Sequence, residues 1–373
     1  MNFDLTEDQR ALVDTVEKFA ASVIARRTDP SSTEAMATGT IDRWQEMAEL
    51  GLAGLMIAED DGGLGLTMAE TLLICEALGQ SLVQPPFISY AVIAPKLIET
   101  SSSTDVRTAC LQGIAGGSIR IAMARDESIL NFDQSQLNSR VEDDGGTLRL
   151  SGTKELVIDG VTATHFIVTA QLAETGPNAF LVAAGQPGLS IRPLRGLGGG
   201  LIARLSFDAV EAMALFEGND APVKVDRAID HGIVAFCAEA LGLMNRMLAL
   251  TAGYLKTRHQ FGKPIGSFQA LQHRFADMVV AAEQSRSATY MAAAALAEED
   301  APTRKQDVSA AKSLVCRHGR AVLEAAIQLH GAIGITDEYE LSRYLRRMLE
   351  IEKTWGDAIY HEDRFSAELM SRT

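Results

Sequence analysis

The sequence is short of the residues that would cross-link the chain or hold a metal. Its four cysteines (Cys75, Cys110, Cys237 and Cys316) lie far apart with no CxxC pair, so neither a disulfide framework nor a zinc site is expected. Basic side chains are also in deficit: 34 Lys and Arg against 49 Asp and Glu leave a formal net charge of −15. Such a surface repels phosphate backbones and anionic head groups, which argues against nucleic acid or a membrane surface as partner. An anionic coenzyme would be repelled as well, unless basic residues were gathered locally. No apolar run approaches the ~20 residues that span a bilayer. The start, Met1 to Asp8, is acidic where a signal peptide would be basic. A soluble, cytoplasmic protein is expected. Disorder is not, because 47% hydrophobic and 22% charged residues are ordinary for a globular chain. A chain of 373 residues can bury about two or three cores.

What is present reads as helices, then strands, then helices. Thr6 and Gln9 form a capping box, and Leu12, Val13, Val16, Phe19, Ala20, Val23 and Ile24 follow at helical spacing as one buried stripe. Short helices are expected at 44–50 and 68–78, the second ended by Gly79, with a further helical stretch over 91–98. Between them runs the glycine-punctuated loop Ala58 to Leu66. From about Ile119 to Leu215 the pattern changes to short β-branched runs such as Leu156-Val157-Ile158 and Phe166-Ile167-Val168. Turn signals such as Asp144-Gly145-Gly146 separate them, which predicts an antiparallel β-barrel or sandwich. Long helices return over 228–257, 268–298 and 305–330, the last ending at Gly331. The expected class is α+β, mostly α. It comprises an N-terminal helical domain (1–117), a middle antiparallel β-barrel or sandwich domain (118–222) and a C-terminal four-helix bundle (223–373).

Three stretches together carry a resemblance. They are Arg258 to Gln269 (RHQFGKPIGSFQ), Gln328 to Thr336 (QLHGAIGIT), and the N-terminal pair LTEDQ at 5–9 and GGLG at 62–65. In this order and at these separations they resemble the acyl-CoA dehydrogenase family over essentially the whole chain. The resemblance implies an FAD flavoprotein that dehydrogenates an acyl-CoA thioester between its α and β carbons. A carboxylate takes the α-proton while the β-hydrogen leaves as hydride to the flavin. It further implies a dimer or tetramer, an electron-transfer flavoprotein as electron acceptor, and a role in fatty-acid or steroid side-chain catabolism. In the family the arginine of the first motif reaches the FAD of a neighbouring subunit. A guanidinium grips a pyrophosphate with two parallel charge-assisted hydrogen bonds, which lysine cannot copy. The cofactor-binding residues carried over are Arg258, Phe261, Gly262, Ile265, Phe268 and Gln269 from the first motif, and Gln328, Gly331 and Gly334 from the second. Ala332 replaces the second glycine usual in the family.

The resemblance fails where the chemistry is done. The family's glutamate base falls on Trp355, and the alternative position, on the helix that leads to the arginine motif, falls on Gly232. Neither side chain takes a proton, so no catalytic residue is assigned. Glu352, Asp357, Asp230 and Glu239 are the nearby carboxylates, expected as surface charges or helix pairing groups. The stretches that hold the flavin ring and thioester correspond to Met123 to Glu127 and Leu156 to Gly160, where Ile158 replaces a hydroxyl. Motifs that serve a neighbour's FAD survive, while those that hold the chain's own flavin have decayed. Three readings stay open: a dehydrogenase, a non-catalytic subunit that completes the FAD site of a related partner, and a flavin-dependent oxidase or monooxygenase on the same fold.

Overall fold

In a computed structural model, residues 5–26, 32–128, 132, 137–172, 176–298 and 300–370 are described; the first four residues of the acidic N-terminus lie outside them. The capping box forms as read: Gln9 N–H donates to Thr6 Oγ1 and Thr6 N–H to Gln9 Oε1, both at 3.1 Å, opening α1 (Glu7–Ala25). Val16, Phe19 and Ala20 are buried, but Ile24 at the helix end is 45% exposed. Helix α2 (Thr33–Glu49) starts eleven residues before the expected 44, at the Ser32 cap. Its Thr40, Trp44 and Met47 face inward at helical spacing, a stripe too sparse to stand out from the intervening Ala, Thr and Gly. Trp44 is fully buried and its Nε1 donates to the Gly117 carbonyl at 3.0 Å.

Helix α3 (Met68–Ser81) corrects the reading of Gly79 as a helix end. The helix runs past it, and a β-carbon there would lie 2.2 Å from the Glu239 carbonyl oxygen. Gly242 is its counterpart, 2.0 Å from the Glu76 carbonyl by the same construction. Two glycines let the helices meet backbone to backbone, so Gly79 serves packing rather than termination. A π turn over Ile88–Ile93 leads into α4 (Ala94–Ile98), and α5 (Thr104–Ala115) completes the first helical group.

The β region comprises β1 (Ile121–Ala124), β2 (Arg140–Asp144), β3 (Thr147–Ile158), β4 (His165–Leu172), β5 (Gly176–Ala183), β6 (Leu189–Arg195) and β7 (Leu201–Ala214) in one seven-stranded sheet. Most pairs are antiparallel as expected, but β4 runs parallel to both β1 and β2, so the sheet is mixed. The Gly145-Gly146 signal is a two-residue hairpin loop: Asp144 pairs with Thr147, and both glycines have positive φ (64° and 93°).

The chain then enters α6 (Ala221–Thr257), crosses a small hairpin of β8 (His259–Gln260) and β9 (Lys263–Pro264), and continues through α7 (Gln269–Ala295), α8 (Ala301–His330), α9 (Leu341–Lys353) and α10 (Ala358–Met370). Helices α6, α7, α8 and α10 pack as the expected bundle, centred on α8. By length and apolar composition α6 could cross a bilayer, but its apolar side chains lie in the core between α3 and α8.

Candidate functional site

Three places in the fold hold the chemistry-bearing residues. The first is an exposed corner at the far end of the bundle. Arg258 caps α6, its N–H donating to the Tyr254 carbonyl at 2.8 Å, while its guanidinium has no partner among the described residues. The hairpin beyond it turns at Phe261 and Gly262, with φ of 54° and 78°. Phe261 is 90% exposed, an unusual position for a phenyl ring, and meets only Phe268 edge-on at 6.1 Å. Lys263 Nζ lies 4.3 Å above the other ring, Phe268. The Ile265 N–H closes the hairpin on the Arg258 carbonyl at 2.8 Å, and exposed Gln269 begins α7.

The second motif meets the first through a pair of rings. His330 stacks on Tyr254 at 4.6 Å between centroids, one turn before Arg258, and on Tyr339 at 5.1 Å. Gln328 is therefore carried to the same corner on the last turn of α8. Gly331 ends that helix with φ 68° and open space beside it, and Gly334 is buried against His330 and Ile327. Arg258, Phe261, Gly262, Ile265, Phe268, Gln269, Gln328, Gly331 and Gly334 thus cluster at neighbouring ends of α6, α7 and α8.

The second place is where the sequence puts a base and a flavin ring. Trp355 is 6% exposed, with φ 52° in the left-handed region that bulky residues avoid. Its indole packs edge-on to Phe236 at 5.4 Å and against Gly232: a β-carbon on Gly232 would lie 2.8 Å from Trp355 Cζ3 and 2.7 Å from Ile93 Cδ1. The two alternative positions of the base are therefore in contact, and tryptophan fills the space between them. Beside it a cavity of only about 50 Å³ remains, lined by Arg125, Asp230, Trp355, Tyr360, His361 and Arg364 among others. Pockets that hold drug-sized ligands run to roughly 300–1,000 Å³. Room for a few waters is left, and none for a tricyclic ring.

The surrounding polar groups satisfy one another. Asp230 is fully buried and accepts from Arg304 Nε at 3.0 Å and Arg364 Nη2 at 2.8 Å. Burial raises its carboxyl above the usual range, against both guanidiniums. His361 accepts or donates at Ser309 and the Trp355 carbonyl, and burial, reinforced by Lys312 and Arg364, holds its ring well below the ordinary histidine range. Near the end of β1, Lys154 is fully buried and bridges the Arg125 carbonyl and Glu127 Oε1 at 3.1 and 2.8 Å. Burial works against ionised Glu127, but the Lys154 ammonium outweighs it and holds the carboxyl at about 2.

The carboxylates near Trp355 are paired, though not all at the surface as expected. Glu352 is 8% exposed and bonded to Arg320 at 2.7 Å, and Glu239 is 6% exposed and bonded to Arg347 at 2.6 Å. Asp357 binds Lys353 at 2.9 Å. Helical pairing explains each, and among the described residues no three His, Cys, Asp or Glu side chains gather as a metal site.

Sequence reading missed the third place. A cleft of about 430 Å³ runs between the α1–α2 hairpin, the turn Gly196 to Gly200, the end of α3, and α6 and α9. Asp159, Arg195 and the Glu239–Arg347–Glu350 cluster line it. The run GLGGG at 196–200 directly after Arg195 was the one available signal.

Comparison with known proteins bears on all three places. The N-terminal domain of acyl-CoA dehydrogenases matches residues 6–118 and the C-terminal domain matches 224–356. Acyl-CoA dehydrogenase FadE27 of Mycobacterium tuberculosis is 28% identical over 334 residues, 87% of each chain. Among solved structures, the Tcur3481-Tcur3483 steroid dehydrogenase variant is 28% identical, with TM-score 0.86 and 98% of each chain covered. The ChsE4-ChsE5 complex from Mycobacterium tuberculosis is 25% identical, with TM-score 0.84 and 99% of each chain covered.

Proposed function

Because the chain belongs to the acyl-CoA dehydrogenase family, we propose that it is a subunit of an FAD-dependent enzyme that dehydrogenates an acyl-CoA thioester, and that it acts by completing the FAD site of a related partner chain. The observation that carries this reading is the contact of Trp355 with Gly232, which fills the position of the base and leaves about 50 Å³ beside it. The residues around that cavity do not fit a flavin ring, and no catalytic step is assigned to this chain.

The exposed corner does fit part of a dinucleotide. An unpartnered guanidinium, a phenyl ring in solvent and a glycine turn are costly to leave idle, and together they suit phosphate and adenine. In this reading Arg258 holds the phosphates of a cofactor seated mainly in the partner. Phe261 and Phe268 offer rings, and Gln269, Gln328 and the Gly331–Gly334 bend close the far side. The partner supplies the flavin-ring pocket and the carboxylate base, and FAD supplies the hydride acceptor. A homo-oligomer would bring each such corner against a filled cavity, which favours a hetero-oligomer. Two of the similar structures, Tcur3481-Tcur3483 and ChsE4-ChsE5, carry two chain names each. The partner's acyl group and the electron acceptor, which the family resemblance gives as an electron-transfer flavoprotein, belong to the same proposal.

The test is co-expression with dehydrogenase-family chains from the same genome. A stable complex that carries FAD and reduces it with an acyl-CoA supports the reading. A chain that binds FAD and turns over on its own overturns it.

A further inference from the structure

The 430 Å³ cleft is the remaining large feature without a role, and its size falls in the range of small-molecule sites. It does not open onto the small cavity: Phe236 lines the cleft, and Trp355 stands behind it at 5.4 Å between ring centroids. A ligand therefore enters from the side of α1 and α2, and nothing about it depends on a flavin.

Most charges in the cleft are already spent. Arg26 pairs with Glu46 at 2.8 Å. Arg347 binds Glu239 through two nitrogens, at 2.6 and 2.8 Å, and Glu350 at 2.6 Å. Two groups are left. Arg195, at the end of β6, has no ion pair or hydrogen bond to a described residue. Asp159 has one oxygen, Oδ2, accepting from Ser89 Oγ at 2.5 Å, which leaves the other for a ligand. Its backbone is held left-handed, at φ 58°, while its carbonyl accepts from Tyr90 Oη at 2.6 Å.

The sheet fixes the distance between them. Arg195 pairs with Leu201 across β6 and β7, and the Asp159 N–H donates to the Leu201 carbonyl from the other side at 3.1 Å. Two strand spacings separate a cation from a carboxyl by roughly 10 Å of backbone. Leu78, Leu82, Phe87 and Ile88 give the wall between an apolar lining.

We propose that this cleft binds a free organic acid with an apolar body and an ammonium or hydroxyl group at its far end, the anion held at Arg195 and the donor at Asp159. Burial lifts the Asp159 carboxyl to about 6. The Ser89 hydrogen bond and Arg347 oppose this, while Glu239 and Glu350 add to it. An ammonium ligand therefore binds best above that pH, where Asp159 is ionised, and weakens below it. A hydroxyl ligand depends on pH less.

Calorimetric titration of the purified chain tests this with ω-aminooctanoate and ω-hydroxyoctanoate against octanoate, octylamine and octanoyl-CoA. The bifunctional acids are expected to bind about tenfold or more tighter than either monofunctional probe. Arg195→Met and Asp159→Asn should each erase that advantage. Asn can still accept from Ser89, and Arg195 has no partner to lose. Equal binding of octanoate, preferred binding of octanoyl-CoA, indifference to Arg195→Met, or no binding of any probe overturns the assignment. None of these results bears on whether the Arg258 corner serves a partner's FAD.

Discussion

Trp355 packs so closely on Gly232 that a β-carbon at position 232 would lie 2.8 Å from the indole Cζ3. Each residue occupies a place where the family resemblance puts a proton acceptor, and each excludes a larger group at the other. Ile93, 2.7 Å from the same point, closes the third side.

Gly232→Ala is therefore expected to overpack the core and cost about 1–3 kcal/mol, read as a lower urea midpoint. Combined with Trp355→Leu, part of that loss should return, giving a coupling of about 0.5 kcal/mol or more in the double-mutant cycle. Strict additivity would show that the two positions do not share space.

Trp355→Glu should not create a dehydrogenase. It removes a large buried side chain, a class of change that costs about 3–5 kcal/mol when cut to alanine, and it buries an unpaired carboxylate. The Asp230–Arg304–Arg364 network stays where a flavin ring would need to enter. Acyl-CoA-dependent dye reduction by this variant alone should remain at background.

Arg258→Ala should leave the isolated chain's stability within about 0.5 kcal/mol, because its guanidinium has no partner to lose. In a complex with a flavin-bearing partner the same change should weaken FAD retention about tenfold or more, since charge-assisted hydrogen bonds are worth about 1.5–3 kcal/mol each. Flavin content measured by absorbance after gel filtration checks both halves.

Acid should destabilise the chain in a defined window. His231 is buried, and burial outweighs its bond to the Arg227 carbonyl and lowers its ring from 6.5 to about 4. A folded pKa below the unfolded one means the unfolded chain binds the proton first. Stability present above pH 6.5 is lost as pH falls toward 4, by roughly 3 kcal/mol for this group. His361 pushes the same way. His231→Leu should flatten the slope of unfolding free energy between those pH values by about one proton. Glu127 acts later, its contribution fading from 4.5 down through about 2.

Much of this was readable in the chain, and the failures have physical causes. The capping box at Thr6 and the glycine end at Gly331 are local chemistry, so they appear where the letters put them. The Arg258 and Gln328 segments read as belonging together, and the Tyr254–His330 stack carries them to one corner of the bundle. Gly79 read as a stop because a helix end and a close helix crossing use the same residue for different reasons, and only the facing Glu239 carbonyl tells them apart. Substitution by Trp355 and Gly232 was visible as two separate losses; that they touch is a long-range fact no spacing encodes. The cleft at Asp159 and Arg195 depends on strand pairing across Leu201, which sequence alone does not reveal.

The most direct test of a filled flavin pocket is to titrate FAD into the chain purified alone and follow flavin fluorescence and absorbance. Unchanged free-FAD spectra up to high micromolar protein are the expected result. Stoichiometric uptake of FAD, with a yellow product that bleaches on adding an acyl-CoA, would contradict it.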